Sequence, residues 1–257
     1  MAVTGDVQAG RRVAVRAAVR EILLVAALFL AYQAGRMLAT GHVAEAMDNA
    51  VRVWDLERAV RLPAESLVQG LVIDHHALVR LANSYYAYVH FPATAVTLIW
   101  MYLRRPGLYR WMRRTLAGLT AVALVVHLIV PLAPPRMVAV AGLIDTGLHY
   151  GPSVYGPPSA DSMANQYAAM PSLHVGWALA VAIALIAATR GRRRWLWLAH
   201  PLVTLLVVVA TGNHYWLDAL VAAALLGAVL LILPRPDTRP AAVVPAPRQP
   251  VEPAHIL

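Results

Sequence analysis

Residues 171–190 read PSLHVGWALAVAIALIAATR. From Leu173 to Ala188 the only ionisable side chain is His174, and Arg190 closes the run. A run of this length is near the minimum that spans a bilayer core of about 30 Å as a helix. Ser172 is a residue type that caps helix N-termini, so it marks the start. A histidine at the mouth of a lipid-facing helix is costly, which makes it a candidate functional group.

Outward from this stretch, the same pattern recurs. Six spans are expected, at 20–39, 82–103, 112–132, 172–189, 195–212 and 214–233. Their connections are unequal. Arginines crowd before the first span, between the second and third (Arg104, Arg105, Arg110, Arg113, Arg114), between the fourth and fifth (Arg190, Arg192, Arg193, Arg194) and after the sixth. The intervening segments carry a slight excess of carboxylates. Basic loops stay cytoplasmic. The expected fold is therefore an all-α integral membrane protein, a six-transmembrane-helix bundle with both termini cytoplasmic. Residues 22–31 have the look of a signal-peptide core, but the long lead before them and the lack of a clean cleavage site favour a retained span.

Composition agrees. The 257 residues are 60% hydrophobic and only 14% charged, against about 25% charged in soluble domains. The basic residues are all arginine, and the net charge of +9 is spent on one side of the spans. It is a topology signal, with anionic lipid rather than nucleic acid as its partner. The absence of cysteine excludes a thiolate metal site, a disulfide and a Cys nucleophile.

Three domains are expected: a cytoplasmic segment 1–19, a six-span unit 20–233, and a Pro-rich, disordered cytoplasmic tail 234–257. Within residues 43–76, Val51, Trp54, Leu56 and Val60 alternate with charged residues. They predict an amphipathic helix on the outer face, packed as a lid over the bundle and stopped near Pro63. Residues 133–171 form the longest outer connection, rich in Pro and Gly, and connections of that length are usually functional.

The chemistry gathers on the outer side. His214 and Asp218 are four apart, the spacing of neighbours on one helix face. Asp218 can hold one imidazole nitrogen and leave the other free to attack phosphorus. His174 reaches the same face and can protonate a leaving oxygen. Arg136, stiffened by Pro134 and Pro135, can fork onto two phosphoryl oxygens. Phosphoryl transfer is mostly positioning and charge stabilisation, so these four suffice in outline. His90 and His127 are read as helix–helix hydrogen-bonding groups, and Trp100, Trp111, Trp195, Trp197 and Trp216 as interfacial anchors.

Pro171-Ser172-Leu173-His174, Ala133-Pro134-Pro135-Arg136 and His214-x3-Asp218, in this order and at span ends, resemble the type 2 phosphatidic acid phosphatase superfamily. Within it they are most similar to the branch of fungal inositol phosphorylceramide synthases, which has Pro-Ser-Leu-His where lipid phosphatases have Pro-Ser-Gly-His. Asn83, Tyr86, His90, Phe91 and Pro92 also look like that branch, and the resemblance covers roughly residues 50–233. It implies His214 as nucleophile, Asp218 as its orienting partner, His174 as general acid, Arg136 as phosphate ligand, six spans, an outward-facing site and no metal or other cofactor. Two cations of the phosphatase pattern are missing: Ile129 and Val208 stand in their places.

A dianionic monoester wants more positive charge than a monoanionic diester. The sequence therefore suggests a phosphotransferase in the inner (plasma) membrane that takes a head-group phosphate from a phosphatidylinositol-like lipid and passes it to a hydroxyl acceptor or water. Asn165, Gln166, Tyr167, Asn213 and Tyr215 are candidate head-group contacts. The alternatives are a lipid phosphatase acting on phosphatidate or a polyprenyl pyrophosphate, and a proton or metal pathway built on the same histidines. The pathway reading suffers because the polar groups sit at span ends on one face and do not cross.

Overall fold

A computed structural model describes residues 2–38, 42–153, 166–233, 235 and 236. Asn165 and the Pro-rich tail beyond residue 236 lie outside the described residues. Ten α-helices follow one another: α1 Ala2–Leu38, α2 Val43–Ala59, α3 Glu65–Gly70, α4 His76–Tyr88, α5 His90–Arg104, α6 Pro106–Ile129, α7 Thr146–Tyr150, α8 Leu173–Ala188, α9 Ala199–Ala210 and α10 Trp216–Ile232. No strand occurs among the described residues; Leu132 and Ala168 make a lone parallel bridge.

α8 is the axis of the bundle and packs against α5, α6, α9 and α10. It is apolar all round, as an enclosed helix must be, and its buried residues are mostly small: Gly176, Ala178, Ala180, Ala182, Ala184 and Ala188. Small residues let helix backbones approach closely. A Cβ on Gly176 would lie 2.9 Å from a Leu119 methyl on α6 and 3.6 Å from Ala222 on α10. α1 lies outermost against α6, and α3 and α4 lie against α9.

Among the described residues, two helical runs are long and apolar enough to cross a membrane, Pro106–Ile129 and Arg192–Ala210. Leu173–Ala188 and Trp216–Ile232 are as apolar but shorter. The exterior carries many exposed large apolar side chains, among them Ile22 and Leu30 of α1, Val96 and Ile99 of α5, Val125 of α6, and Leu202 and Leu206 of α9. A surface greased on this scale marks contact with lipid or with another apolar partner.

Two of the expected spans are interrupted, and proline is the reason both times. The run 82–103 is divided between α4 and α5 around Val89. Pro92 has no N–H to give the Tyr88 carbonyl and its ring crowds that oxygen, so the helix must restart. The run 195–212 begins as a 3-10 segment, Arg192–Leu198, before α9. Pro201 stands to Trp197 as Pro92 stands to Tyr88. The first break sets His90 at the head of α5, facing α8.

The amphipathic helix is present as α2, but its inward face is not the expected one. Ala46, Ala50 and Glu57 are buried, while Val51, Leu56 and Val60 are exposed. Trp54 packs at the edge of the inner cluster. α2 touches α10 and the 3-10 turn Pro135–Met137 with a narrow stripe and turns a second apolar stripe outward.

The arginine-rich connections converge at one end. Arg113 of α6 pairs with Glu21 of α1. Trp111 Nε1 donates to the Leu233 carbonyl, and the Arg235 guanidinium lies over the Trp111 ring. His174 is at the opposite end of α8 from Arg190, a distance of about 24 Å for 16 residues at 1.5 Å each.

Gly176→Val is expected to destabilise the fold by roughly 1–3 kcal/mol through overpacking. In a Leu119→Ala background that cost should shrink markedly, because the obstructing methyl is gone. Thermal unfolding of the two singles and the double in detergent micelles checks the pair.

Candidate active site

Three loop segments meet at the ends of α6, α8 and α10 remote from Arg190, and backbone hydrogen bonds knit them together. Leu132 N–H donates to the Tyr167 carbonyl (2.7 Å), and Ala169 N–H donates back to the Leu132 carbonyl (3.1 Å). Ser172 N–H donates to the Asp218 carbonyl (3.1 Å), and Arg136 N–H to the Gly212 carbonyl (3.0 Å). Gly212 has φ +67°, and a Cβ there would lie 3.0 Å from the Arg136 Cβ. Only glycine combines that left-handed backbone with so close an approach.

His214 lies in the turn before α10 and is nearly buried. Its Nδ1 is 2.9 Å from the Ala169 carbonyl oxygen and 3.1 Å from Asp218 Oδ2. Both partners accept only, if Asp218 is ionised, so Nδ1 must carry the proton and Nε2 keeps its lone pair. The contact does not arise from a shared helix face, as the four-residue spacing suggested. Tyr215 is the N-cap, α10 starts at Trp216, and Asp218 is the third helical residue. Its Oδ2 also accepts from Tyr215 N–H (2.9 Å), so one carboxylate oxygen closes the helix end and holds the imidazole.

His174 is the second residue of α8. Ser172 caps this helix by accepting from Val175 N–H (3.4 Å). The ring centroids of His174 and His214 are 5.9 Å apart, close enough for one phosphoryl group to touch both. His174 is walled by Tyr86, stacked at 4.4 Å, and by His90 at 4.6 Å. His127 makes a hydrogen bond from α6, but to the loop before α8 and not to a second helix: its Nε2 donates to the Pro171 carbonyl (3.3 Å). His90 acts differently: its Nδ1 has no hydrogen-bond partner among the described residues, and the ring packs against His174, Trp177 and Phe91.

Arg136 lines a narrow recess together with Asn83, Tyr86, Asp145, Ser153 and Asn213. Its Nε donates to Asp145 Oδ2 (3.1 Å), Nη1 to Asn213 Oδ1 (2.5 Å) and Nη2 to Gln166 Oε1 (3.4 Å). Of the candidate head-group contacts, Asn213 and Gln166 therefore border this guanidinium. Tyr167 packs by its side chain on the inner cluster, and its carbonyl belongs to the bridge with Leu132. Tyr215 does not fit the expected role. It is fully buried in the core with Ala46, Ala50 and Leu132, because the N-cap position turns its ring under α2.

Several contributing residues were given no role in the sequence reading. Gln69 clamps the outer loop, accepting from Ile144 N–H and donating to the Ile144 and Ala210 carbonyls. Asn83 donates to the Thr146 and Gly151 carbonyls and accepts from the Thr146 hydroxyl. Glu57 matters most. It is wholly buried, and its Oε1 accepts from Leu217 N–H (2.7 Å) in the first turn of α10. Glu65 is buried beside it, and Arg58 reaches both carboxyls, at 3.4 and 3.3 Å. Burial first, then a hydrogen bond with Glu65, push Glu57 up to about 9. The sequence did hold a signal for it, since Ala46, Ala50, Val53 and Glu57 fall on one helical stripe.

No group of three or more His, Asp, Glu or Cys placed to hold a metal occurs among the described residues. The family model of the PAP2 superfamily matches residues 51–232, and the chain belongs to that superfamily. No curated protein and no solved structure matches it. Membership points to phosphatase or phosphotransferase chemistry on a lipid-like phosphate.

Glu57→Ala leaves the Leu217 N–H buried and unpaired, and should cost about 1–3 kcal/mol together with most of the turnover. Glu57→Gln keeps an acceptor and should retain turnover within a few-fold. The titration has a definite sign. Folded Glu57 holds its proton up to about 9, whereas an unfolded chain releases it near 4.5, so its contribution to stability is fully present below 4.5 and declines as pH rises towards 9. Unfolding curves across that window should be flatter with pH for Glu57→Gln than for the parent.

Proposed function

We propose that this member of the PAP2 superfamily is a six-span enzyme of the inner (plasma) membrane. Both termini face the cytoplasm and the site faces the extracytoplasmic side. It transfers the head-group phosphate of a phosphatidylinositol-like lipid through a phosphohistidine on His214. The separation of the arginine-rich end from His174 by the length of α8 supports this orientation.

The observation that carries the chemistry is the Nδ1 of His214 between the Ala169 carbonyl and Asp218, with the His174 ring 5.9 Å away. Nε2 of His214 attacks phosphorus, and the bond from phosphorus to the leaving alkoxide oxygen breaks. His174, as imidazolium, gives that oxygen its proton. The positive charge that develops on the His214 ring is balanced by Asp218. Arg136 holds non-bridging oxygens in the phosphoryl plane. In the second half, His174 takes the proton of water or of an acceptor hydroxyl, which attacks phosphorus and releases Nε2. The buried positions of His214 and Asp218 keep bulk water from competing for these hydrogen bonds.

A lipid phosphatase runs the same first half on a phosphate monoester and passes the phosphoryl group to water. The lack of cations at Ile129 and Val208 favours the diester reading.

The purified protein, given mixed phospholipids and a hydroxyl acceptor, should yield a new phosphodiester and a diacylglycerol by lipid mass spectrometry. Release of inorganic phosphate alone would establish the phosphatase instead. His214→Ala should lower turnover by several orders of magnitude and abolish acid-labile phosphoenzyme, and undiminished turnover in that variant would remove the assigned nucleophile. His174→Ala should slow turnover by roughly 10²–10⁴-fold, less so for substrates with acidic leaving groups.

A further inference from the structure

We propose that Asp145 determines which phosphate class the site accepts, by holding a fixed negative charge against Arg136 and so favouring a monoanionic phosphodiester over a dianionic monoester. The inference rests on the reading of His214 and Arg136 as phosphate-handling groups and goes further, to a residue outside the motifs that suggested it.

Asp145 precedes α7 and is anchored at both oxygens. Oδ1 accepts from Leu148 N–H (3.0 Å), capping the helix, and Oδ2 accepts from Arg136 Nε (3.1 Å). α7 is in turn tied down by Asn83 through the Thr146 and Gly151 carbonyls. The carboxylate is thus part of a braced corner and does not swing away from the guanidinium at little cost. The Asp145 side chain is 29% exposed and that of Arg136 only 3%, so the acid is the member of the pair that an entering anion meets.

The other described residues lining the recess are neutral: Asn83, Tyr86, Gly147, Pro152, Ser153 and Asn213. Arg136 and Asp145 together bring the recess to no net charge. Coulomb energy scales with the product of charges. A carboxylate beside the phosphate therefore penalises a dianion twice as heavily as a monoanion. It can be tolerated in a site for diesters and is a handicap in a site for monoesters.

The test compares two substrates on one enzyme: a short-chain phosphatidylinositol and a short-chain phosphatidate in detergent micelles, each read as kcat/KM. Asp145→Asn keeps the cap and the acceptor to Arg136 but deletes the charge. The phosphatidate-to-phosphatidylinositol ratio should rise roughly tenfold, the effect of one unit charge at about 10 Å in an effective dielectric of about 20. Asp145→Glu, which keeps the charge, should leave the ratio within about twofold. If Asp145→Asn slows both substrates equally, Asp145 merely positions Arg136 and the proposal falls. An equal rise of the ratio in Asp145→Glu would overturn it too.

Should Asp145→Asn not fold, Asn213→Asp approaches from the other side. A second carboxylate on the same guanidinium should lower the ratio by a similar factor, and an unmoved ratio there would overturn the proposal. Failure of the underlying reading looks different: turnover of both substrates would then survive in His214→Ala.

Discussion

The site depends on a single proton, the one on Nδ1 of His214. A carbonyl from the 167–171 segment and a carboxylate from α10 both face that nitrogen, and neither offers a donor while Asp218 is ionised. Each arm has its own support. Ala169 is placed by its N–H to the Leu132 carbonyl and by the bridge beside it, and Asp218 by Tyr215 N–H and the first turn of α10. Arg136 hangs from the same framework through Gly212, two residues before His214. The spacing of His214, His174 and Arg136 is thus set by backbone hydrogen bonds among three loops, and the helices hold the loops in place.

This arrangement suits a membrane setting. Loop backbone at the end of a bundle can satisfy its polar groups only from other loops, from side chains or from water. Here Gln69, Asn83 and Glu57 reach from the outer helices and satisfy backbone groups of residues 144–151, 210 and 217. The outer helices are therefore structural members of the site. Val51, Leu56 and Val60, exposed on the far side of α2, leave that helix free to lie against lipid headgroups while its alanines rest on the bundle.

Much of this was legible in the sequence. Long apolar runs marked α6, α8 and α10. The polar residues at their ends marked His174, His214, Asp218 and Arg136, because a polar group is costly in such surroundings and persists there when it has a task. The breaks before α5 and α9 were also written there, in Pro92 and Pro201, but hydropathy windows average over a missing N–H. The His214–Asp218 contact was foreseen for a partly wrong reason: the spacing suggested a helix face, whereas a cap supplies the geometry. Glu57 and Asp145 went unseen because an acid on an amphipathic helix or in a loop ordinarily faces water. Tyr215 misled in the opposite sense, since a tyrosine beside a reactive histidine suggests a contact with substrate until its ring proves to be buried core.

The acids around the first turn of α10 raise a question of charge. Glu57, Glu65 and Asp218 are all buried, and the other two raise the cost of ionising Glu57. Arg58 offsets one charge, and the partial positive charge of a helix N-terminus favours another. A third anion has no counterpart, and Glu57 resolves the excess by keeping its proton. A neutral carboxylic acid can still accept the Leu217 N–H through its carbonyl oxygen while donating its proton to Glu65. The helix end is thereby held without adding negative charge beside His214. The outer helix α2 is thus tied to the first turn of α10, the turn that also carries the carboxylate facing His214.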